Sequence, residues 1–167
     1  MSISNSKRDF LFGRVRGYQP LRPPWAIAED RFGDTCTRCG DCVRECPTNV
    51  IKLADGGFPE MDFSAAGCDF CEVCVSVCEP GALDRKIQPP LNLVANLNDN
   101  CFSARGVICR ACGEVCDSRA IRFQQVVGGV THVSIEFSAC TGCGECVSIC
   151  PAHSISIKPR LAREIPA

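Results

Sequence analysis

Apolar residues along this chain come in short runs. Four of them are β-prone: Val50-Ile51-Lys52-Leu53, Ala82-Leu83, Ala120-Ile121-Arg122-Phe123 and Ser154-Ile155-Ser156-Ile157. The segments after the first and third runs share one layout. Ile51–Leu53, Gly56-Gly57 and Phe58–Phe63 read as strand, glycine turn, strand. Ile121–Val127, Gly128-Gly129 and Val130–Phe137 read the same way, with Val133, Ile135 and Phe137 alternating with polar neighbours. Residues Lys86–Asn100 break the layout with Pro89-Pro90, Asn98-Asp99-Asn100 and no paired glycines, which predicts a linker. No stretch is long and apolar enough to cross a membrane.

Each β-prone run follows a cluster of cysteines, and the clusters account for all 16 cysteines of the 167 residues. The first is Cys36-Thr-Arg-Cys39-Gly-Asp-Cys42-Val-Arg-Glu-Cys46-Pro47, with the spacing C-x2-C-x2-C-x3-C-P. That is the cysteine run of bacterial ferredoxins holding cubane iron–sulfur clusters. Three cysteines at i, i+3 and i+6 wrap one tight loop around one cube, and the fourth is expected at the start of a short helix, pointing to a second cube. The second set is Cys68, Cys71, Cys74 and Cys78; the third Cys101, Cys109, Cys112 and Cys116; the fourth Cys140, Cys143, Cys146 and Cys150, followed by Pro151. One copy alone could belong to a zinc knuckle or half a zinc ribbon, but four copies with no cysteine left over imply four 4Fe–4S clusters. The sets begin 32, 33 and 39 residues apart.

Composition agrees with this chemistry. The hydrophobic share of 46% includes the cysteines, and without them falls to about 36%, so each half must bury a thin core and needs an internal staple. Disulfides are the other staple available to so many cysteines. Against them stand the absence of a signal peptide, the absence of a cysteine-poor segment between knots, and spacings too tight for independent bridges. Ligated metal takes the place of the missing core, so folding and cluster insertion should be one event in a reducing compartment, the cytoplasm. A 4Fe–4S core held by four thiolates carries about −2, so four would add about −8 to the formal charge of −1. An acidic protein of this kind favours a basic partner surface and not nucleic acid.

Residues 1–28 differ from the rest. Lys7, Arg8, Arg14, Arg16 and Arg22 face only Asp9, and Pro20, Pro23 and Pro24 interrupt any helix, which predicts an irregular basic arm. Ser6-Lys7-Arg8-Asp9-Phe10-Leu11 looks like a twin-arginine export signal, but Gly13-Arg14-Val15-Arg16-Gly17 follows where an apolar stretch is required, so export is not expected. The arm reads either as a solvated basic tail or as a docking segment, with Phe10, Leu11 and Trp25 as its contact side chains. Trp25, the only tryptophan, is also expected as an anchor packed on the first lobe. The third cysteine set is irregular: Phe102–Ile108 separates its first two cysteines, and Asp117 stands where proline is usual. That insertion either shields a cube and tunes its potential or is a neutral surface loop. His132 and His153 are expected to be structural, since every ligand position is filled. Gly40, Gly142 and Gly144 are expected to let backbone amides approach the sulfides. No nucleophile–base pair, phosphate-cradling loop or flavin site is visible, so the chain is not expected to be an enzyme.

In two-cluster ferredoxins the fourth cysteine of each motif ligates the other cube. The resemblance implies four ligand sets: Cys36, Cys39, Cys42 and Cys78; Cys68, Cys71, Cys74 and Cys46; Cys101, Cys109, Cys112 and Cys150; and Cys140, Cys143, Cys146 and Cys116. The fold class expected is α+β, two tandem ferredoxin-like lobes with two 4Fe–4S clusters each. The arm would cover 1–28, the first lobe 29–86, the linker 87–100, the second lobe 101–158 and a tail 159–167. With Lys-Arg-x-Phe-Leu-x-Gly-Arg-x-Arg at Lys7–Arg16, Arg22-Pro23-Pro24-Trp25 and the stretched third motif, the whole chain resembles the NapF-type ferredoxins, accessory proteins of periplasmic nitrate reductase systems. The resemblance implies a cytoplasmic electron-transfer and maturation protein that contacts the catalytic subunit NapA before its export. The rival readings are a polyferredoxin subunit wiring another redox complex, and a cluster-storage or redox-sensing protein.

Overall fold

The structure is a computed structural model and describes residues 20–87, 93–126 and 130–159. The basic stretch before Pro20, the Gly128-Gly129 turn and the tail beyond Pro159 lie outside those residues. Two halves of like architecture carry two separate apolar cores, one around Trp25, Phe32, Val50, Met61, Phe63 and Leu83, the other around Ala95, Ile121, Val133 and Ile155.

The first half opens with Pro20–Ala28 laid against its own core. The Leu21 carbonyl accepts from Met61 N–H at 2.7 Å, and Ala26 forms an antiparallel bridge with Leu83. This segment is therefore part of the lobe, and the expected arm of 1–28 is shorter than the sequence suggested. Helix α1 (Glu29–Thr35) follows, with Glu29 and Asp30 in its first turn, where carboxylates favour the helix dipole, and Phe32 fully buried. The hairpin β1 (Ile51–Leu53) and β2 (Pro59–Met61) pairs Ile51 with Met61 across the turn at Asp55–Gly57. In the second half β4 (Ile121–Gln125) and β5 (Thr131–Ile135) form the corresponding hairpin, Ile121 opposite Ile135. Both predicted strand pairs are thus present, the Gly128-Gly129 turn of the second lying outside the described residues.

The predicted linker 87–100 is corrected. Leu93–Leu97 is strand β3, paired antiparallel with β6 (Ile155–Pro159), with Leu97 opposite Ile155. Val94 and Ala95 are buried on it, so this apolar run closes the second half as the Ala26–Leu83 bridge closes the first. Pro89-Pro90 pulled the linker reading too far along the chain.

Four one-turn helices carry the cysteine loops: α2 (Asp41–Arg44), α3 (Val73–Ser76), α4 (Ala111–Glu114) and α5 (Glu145–Ser148). Each holds the third cysteine of its set, and the fourth cysteine follows two residues after the helix instead of opening it, as had been expected. Each helix then turns into a β-prone run by one device. The residue three beyond the fourth cysteine is left-handed in all four repeats: Asn49, Gly81, Arg119 and His153. Its N–H donates to the carbonyl of that cysteine at 2.9–3.2 Å. His153 thus stands at a turn, exposed, and His132 is exposed on β5. Because only glycine takes this conformation without strain, Arg119→Gly should stabilise the protein by up to about 1 kcal/mol and Gly81→Ala should cost about 1 kcal/mol. Denaturant midpoints of the metal-loaded proteins test both.

Candidate metal centres

The tight cysteine loops are shaped by left-handed residues. Arg38, Phe70 and Gly142 each precede the second cysteine of a set, and Gly40, Glu72 and Gly144 each follow it; all have positive φ. Such reversals turn backbone N–H groups inward, toward the space the cysteines surround. The third set lacks this pattern, since Arg110 after Cys109 has φ −134°.

Four cavities hold the cysteines in groups of four. Cys36, Cys39 and Cys42 line the first together with Cys78. Cys68, Cys71 and Cys74 line the second with Cys46. Cys101, Cys109 and Cys112 line the third with Cys150, and Cys140, Cys143 and Cys146 the fourth with Cys116. Every cavity therefore gathers three cysteines of one motif and the last cysteine of that motif's partner. Among the described residues no group of three or more His, Cys, Asp or Glu side chains converges on a single-ion position.

Electrostatics follow the same grouping. Burial, then the neighbouring Cys36, Cys78 and Cys39, push the Cys42 thiol up to about 11. Burial with Cys101, Cys150 and Cys109 does the same for Cys112, also to about 11. Cys74 and Cys146 rise to about 12, from burial first and then from the thiols around them. Cys68 rises to about 11, again mainly through burial. Thiolates packed this closely repel one another, and a cationic metal core removes the cost. Two of the fourth cysteines, Cys46 and Cys150, are treated differently. Burial works against the Cys46 thiolate, but the Thr48 hydroxyl and the amides of Ile51, Val50 and Thr48 outweigh it and hold the thiol below its usual value. Ser154 and the amides around it do the same for Cys150.

These hydroxyls were missed by the sequence reading. Thr48 Oγ1 lies 3.6 Å from Cys46 Sγ, Ser118 Oγ 3.4 Å from Cys116 Sγ, and Ser154 Oγ 3.3 Å from Cys150 Sγ. The N–H groups of Leu83, Ala120 and Ser154 donate to Cys78, Cys116 and Cys150 at 3.3–3.4 Å. A Ser or Thr two residues after the fourth cysteine was the available signal in the first and third sets. Such donors set cluster potentials in iron–sulfur proteins. The Phe102–Ile108 insertion contributes too. Phe102 and Ser103 line the third cavity, Ser103 is buried with its hydroxyl donating to the Cys109 carbonyl, and Ile108 is 98% exposed.

The donor set fits an iron–sulfur cube: sixteen soft thiols, four to a cavity, with N–H and O–H donors on the sulfurs. Residues 35–82 and 107–154 each match the family described as 4Fe-4S dicluster domain. NapF of Escherichia coli (strain K12), a ferredoxin-type protein, is 32% identical over 157 residues, covering 93% of this chain and 96% of its own. The chain belongs to the NapF family of ferredoxin-type proteins. NapF of Haemophilus influenzae is 34% identical over 169 residues, 94% of this chain and 96% of its own. The likeness extends to MauM of Methylorubrum extorquens, a methylamine utilization ferredoxin-type protein, 35% identical over 87% of this chain and 74% of its own. As a NapF-family member the chain is an iron–sulfur protein of electron transfer with two dicluster domains. Among its described residues no helix is long and apolar enough to cross a membrane.

Proposed function

We propose that this chain carries four 4Fe–4S clusters and acts in the cytoplasm on NapA, the catalytic subunit of periplasmic nitrate reductase, before that subunit is exported. The observation that carries the reading is the set of four cavities, each lined by three cysteines of one motif and one of its partner. Cys36, Cys39, Cys42 and Cys78 would hold the first cluster and Cys68, Cys71, Cys74 and Cys46 the second. Cys101, Cys109, Cys112 and Cys150 would hold the third, and Cys140, Cys143, Cys146 and Cys116 the fourth. Bound clusters of this type supply reversible one-electron storage at low potential. The chain's part is to gather the thiols, donate hydrogen bonds to them through Thr48, Ser118 and Ser154, and wall the sites with Phe102, Trp25 and Leu83. The crossed ligands tie the two motifs of each half together, so that each half closes only as its sites fill.

The basic stretch before Pro20 is the docking element in this reading. Trp25 is removed from that role: it is 4% exposed, lies edge-on to Phe70 with ring centroids 6.3 Å apart, and is an anchor of the first lobe. Deleting residues 1–19 is therefore expected to leave iron content and visible absorbance unchanged and to weaken capture of purified NapA by tenfold or more. Raising salt should weaken capture by the intact protein. Undiminished capture by the truncated protein, or loss of its iron, rejects the docking role. The second reading, an electron-wiring subunit of another redox complex, draws on the similarity to MauM, named for methylamine utilization. Failure of the intact, fully loaded protein to bind NapA would favour it.

A further inference from the structure

One contact joins the two halves through the cysteine loops themselves. Cys68 N–H donates to the Cys143 carbonyl at 2.7 Å. One residue earlier, Gly67 N–H donates to Glu145 Oε2 at 2.9 Å. There is no slack around these bonds. A Cβ on Gly67 would lie 2.7 Å from the backbone nitrogen of Glu145, and one on Gly144 would overlap the ring of Phe63. Val147 and Ile157 of the second half pack against the core of the first.

Cys68 belongs to the second ligand set and Cys143 to the fourth. Within the halves, Cys42 lines the first cavity and Cys46, four residues on, the second, while Cys112 lines the third and Cys116, four residues on, the fourth. The sets therefore neighbour one another in the order first, second, fourth, third, which is not their order in the sequence. We propose that Gly67-Cys68 and Cys143-Gly144-Glu145 form a clasp that couples the two dicluster domains through their ligand loops and makes one continuous four-site electron path. The inference rests on the ligand assignment above. Between the two cysteine sulfurs run only the covalent atoms of Cys68 and Cys143 and one backbone hydrogen bond. One electron passing that junction leaves one side oxidised and the other reduced by one, with no atom or proton transferred. The ends of the path are then the first set, with Cys39 exposed, and the third, beside exposed Val107 and Ile108.

The test uses full-length, anaerobically loaded protein with Gly67→Ala and Glu145→Ala. Gly67 is not among the residues of positive φ, so alanine there intrudes on the partner loop without straining its own backbone. Glu145→Ala removes one hydrogen bond and adds no bulk. Both variants are expected to keep the iron content of the parent. Amide hydrogen exchange in the peptide containing Cys68 should speed up about tenfold or more, because the bond to Cys143 is exposed to opening. In dithionite-reduced protein, the spin–spin broadening of the electron paramagnetic resonance spectrum should fall to that of two separate two-centre halves. Unchanged exchange in both variants, or faster exchange with unchanged spin coupling, overturns the clasp. Loss of iron in either variant also overturns it, since these residues would then serve site assembly, and leaves the ligand assignment standing. A parent protein with fewer than four centres instead removes the assignment on which the clasp rests.

Discussion

Replacing Cys78 with serine is expected to abolish the centre held by Cys36, Cys39 and Cys42, and to spare the one held by Cys68, Cys71 and Cys74 of its own motif. The reason is placement: Cys78 lines the first cavity, and Cys46, from the first motif, lines the second. Intact protein reconstituted without oxygen should bind about sixteen iron and sixteen sulfide per chain, and Cys78→Ser about twelve of each. Double variants make the result decisive. Cys36→Ser with Cys78→Ser should lose no more iron than either alone, because both remove ligands of one centre. Cys36→Ser with Cys46→Ser, two cysteines of one motif, should lose twice as much. The reverse pattern would mean that each motif closes around its own centre. Zinc in the reconstituted protein, or a plateau near eight iron, would dismiss the four-cluster assignment altogether.

Arg22→Ala is expected to destabilise the first half by about 2–4 kcal/mol, although Arg22 touches no cysteine. Its side chain is 13% exposed and its guanidinium carbon lies 4.8 Å from the Phe32 ring centroid and 5.3 Å from that of Phe58. Nε and Nη2 reach the two carboxylate oxygens of Glu29 at 2.9 and 2.8 Å, while Nη1 donates to the Pro59 carbonyl at 3.1 Å and approaches Glu60 at 3.4 Å. One planar cation thus fastens the entering segment to α1 and to β2. Losing it removes the fork and the stacking together and leaves two carboxylates facing each other without the charge between them. Lysine keeps the charge but cannot make the paired bonds or stack, so Arg22→Lys should recover less than half of the loss. The denaturant midpoint for loss of iron–sulfur absorbance is the measurement. A shift under about 0.5 kcal/mol for Arg22→Ala would show the cation to be dispensable.

What could be read from the sequence was what local geometry enforces. Three cysteines within seven residues can surround only one small space, so the loops around Cys36, Cys68 and Cys140 follow from spacing alone. The hairpins follow equally from apolar runs flanking Gly56-Gly57 and Gly128-Gly129, because side-chain alternation and turn chemistry act over a few residues. Even the stretched third motif was visible as such, though not that Phe102 and buried Ser103 line its cavity while Ile108 stands almost wholly in solvent. The tertiary structure decided whatever depends on partners far along the chain. Trp25 reads both as a lobe anchor and as a docking side chain until its burial edge-on to Phe70 leaves only the anchor. Leu93–Leu97 reads as the end of a linker until Ile155–Pro159 supplies the other half of its ladder. Arg22 is one basic residue among several until two aromatic rings and Glu29 close on it. The meeting of Cys68 with Cys143 has no sequence signal at all: cysteine spacing determines which residues share a loop, and only the packing of Phe63 and Gly67 against Gly144 and Glu145 determines which loops share a boundary.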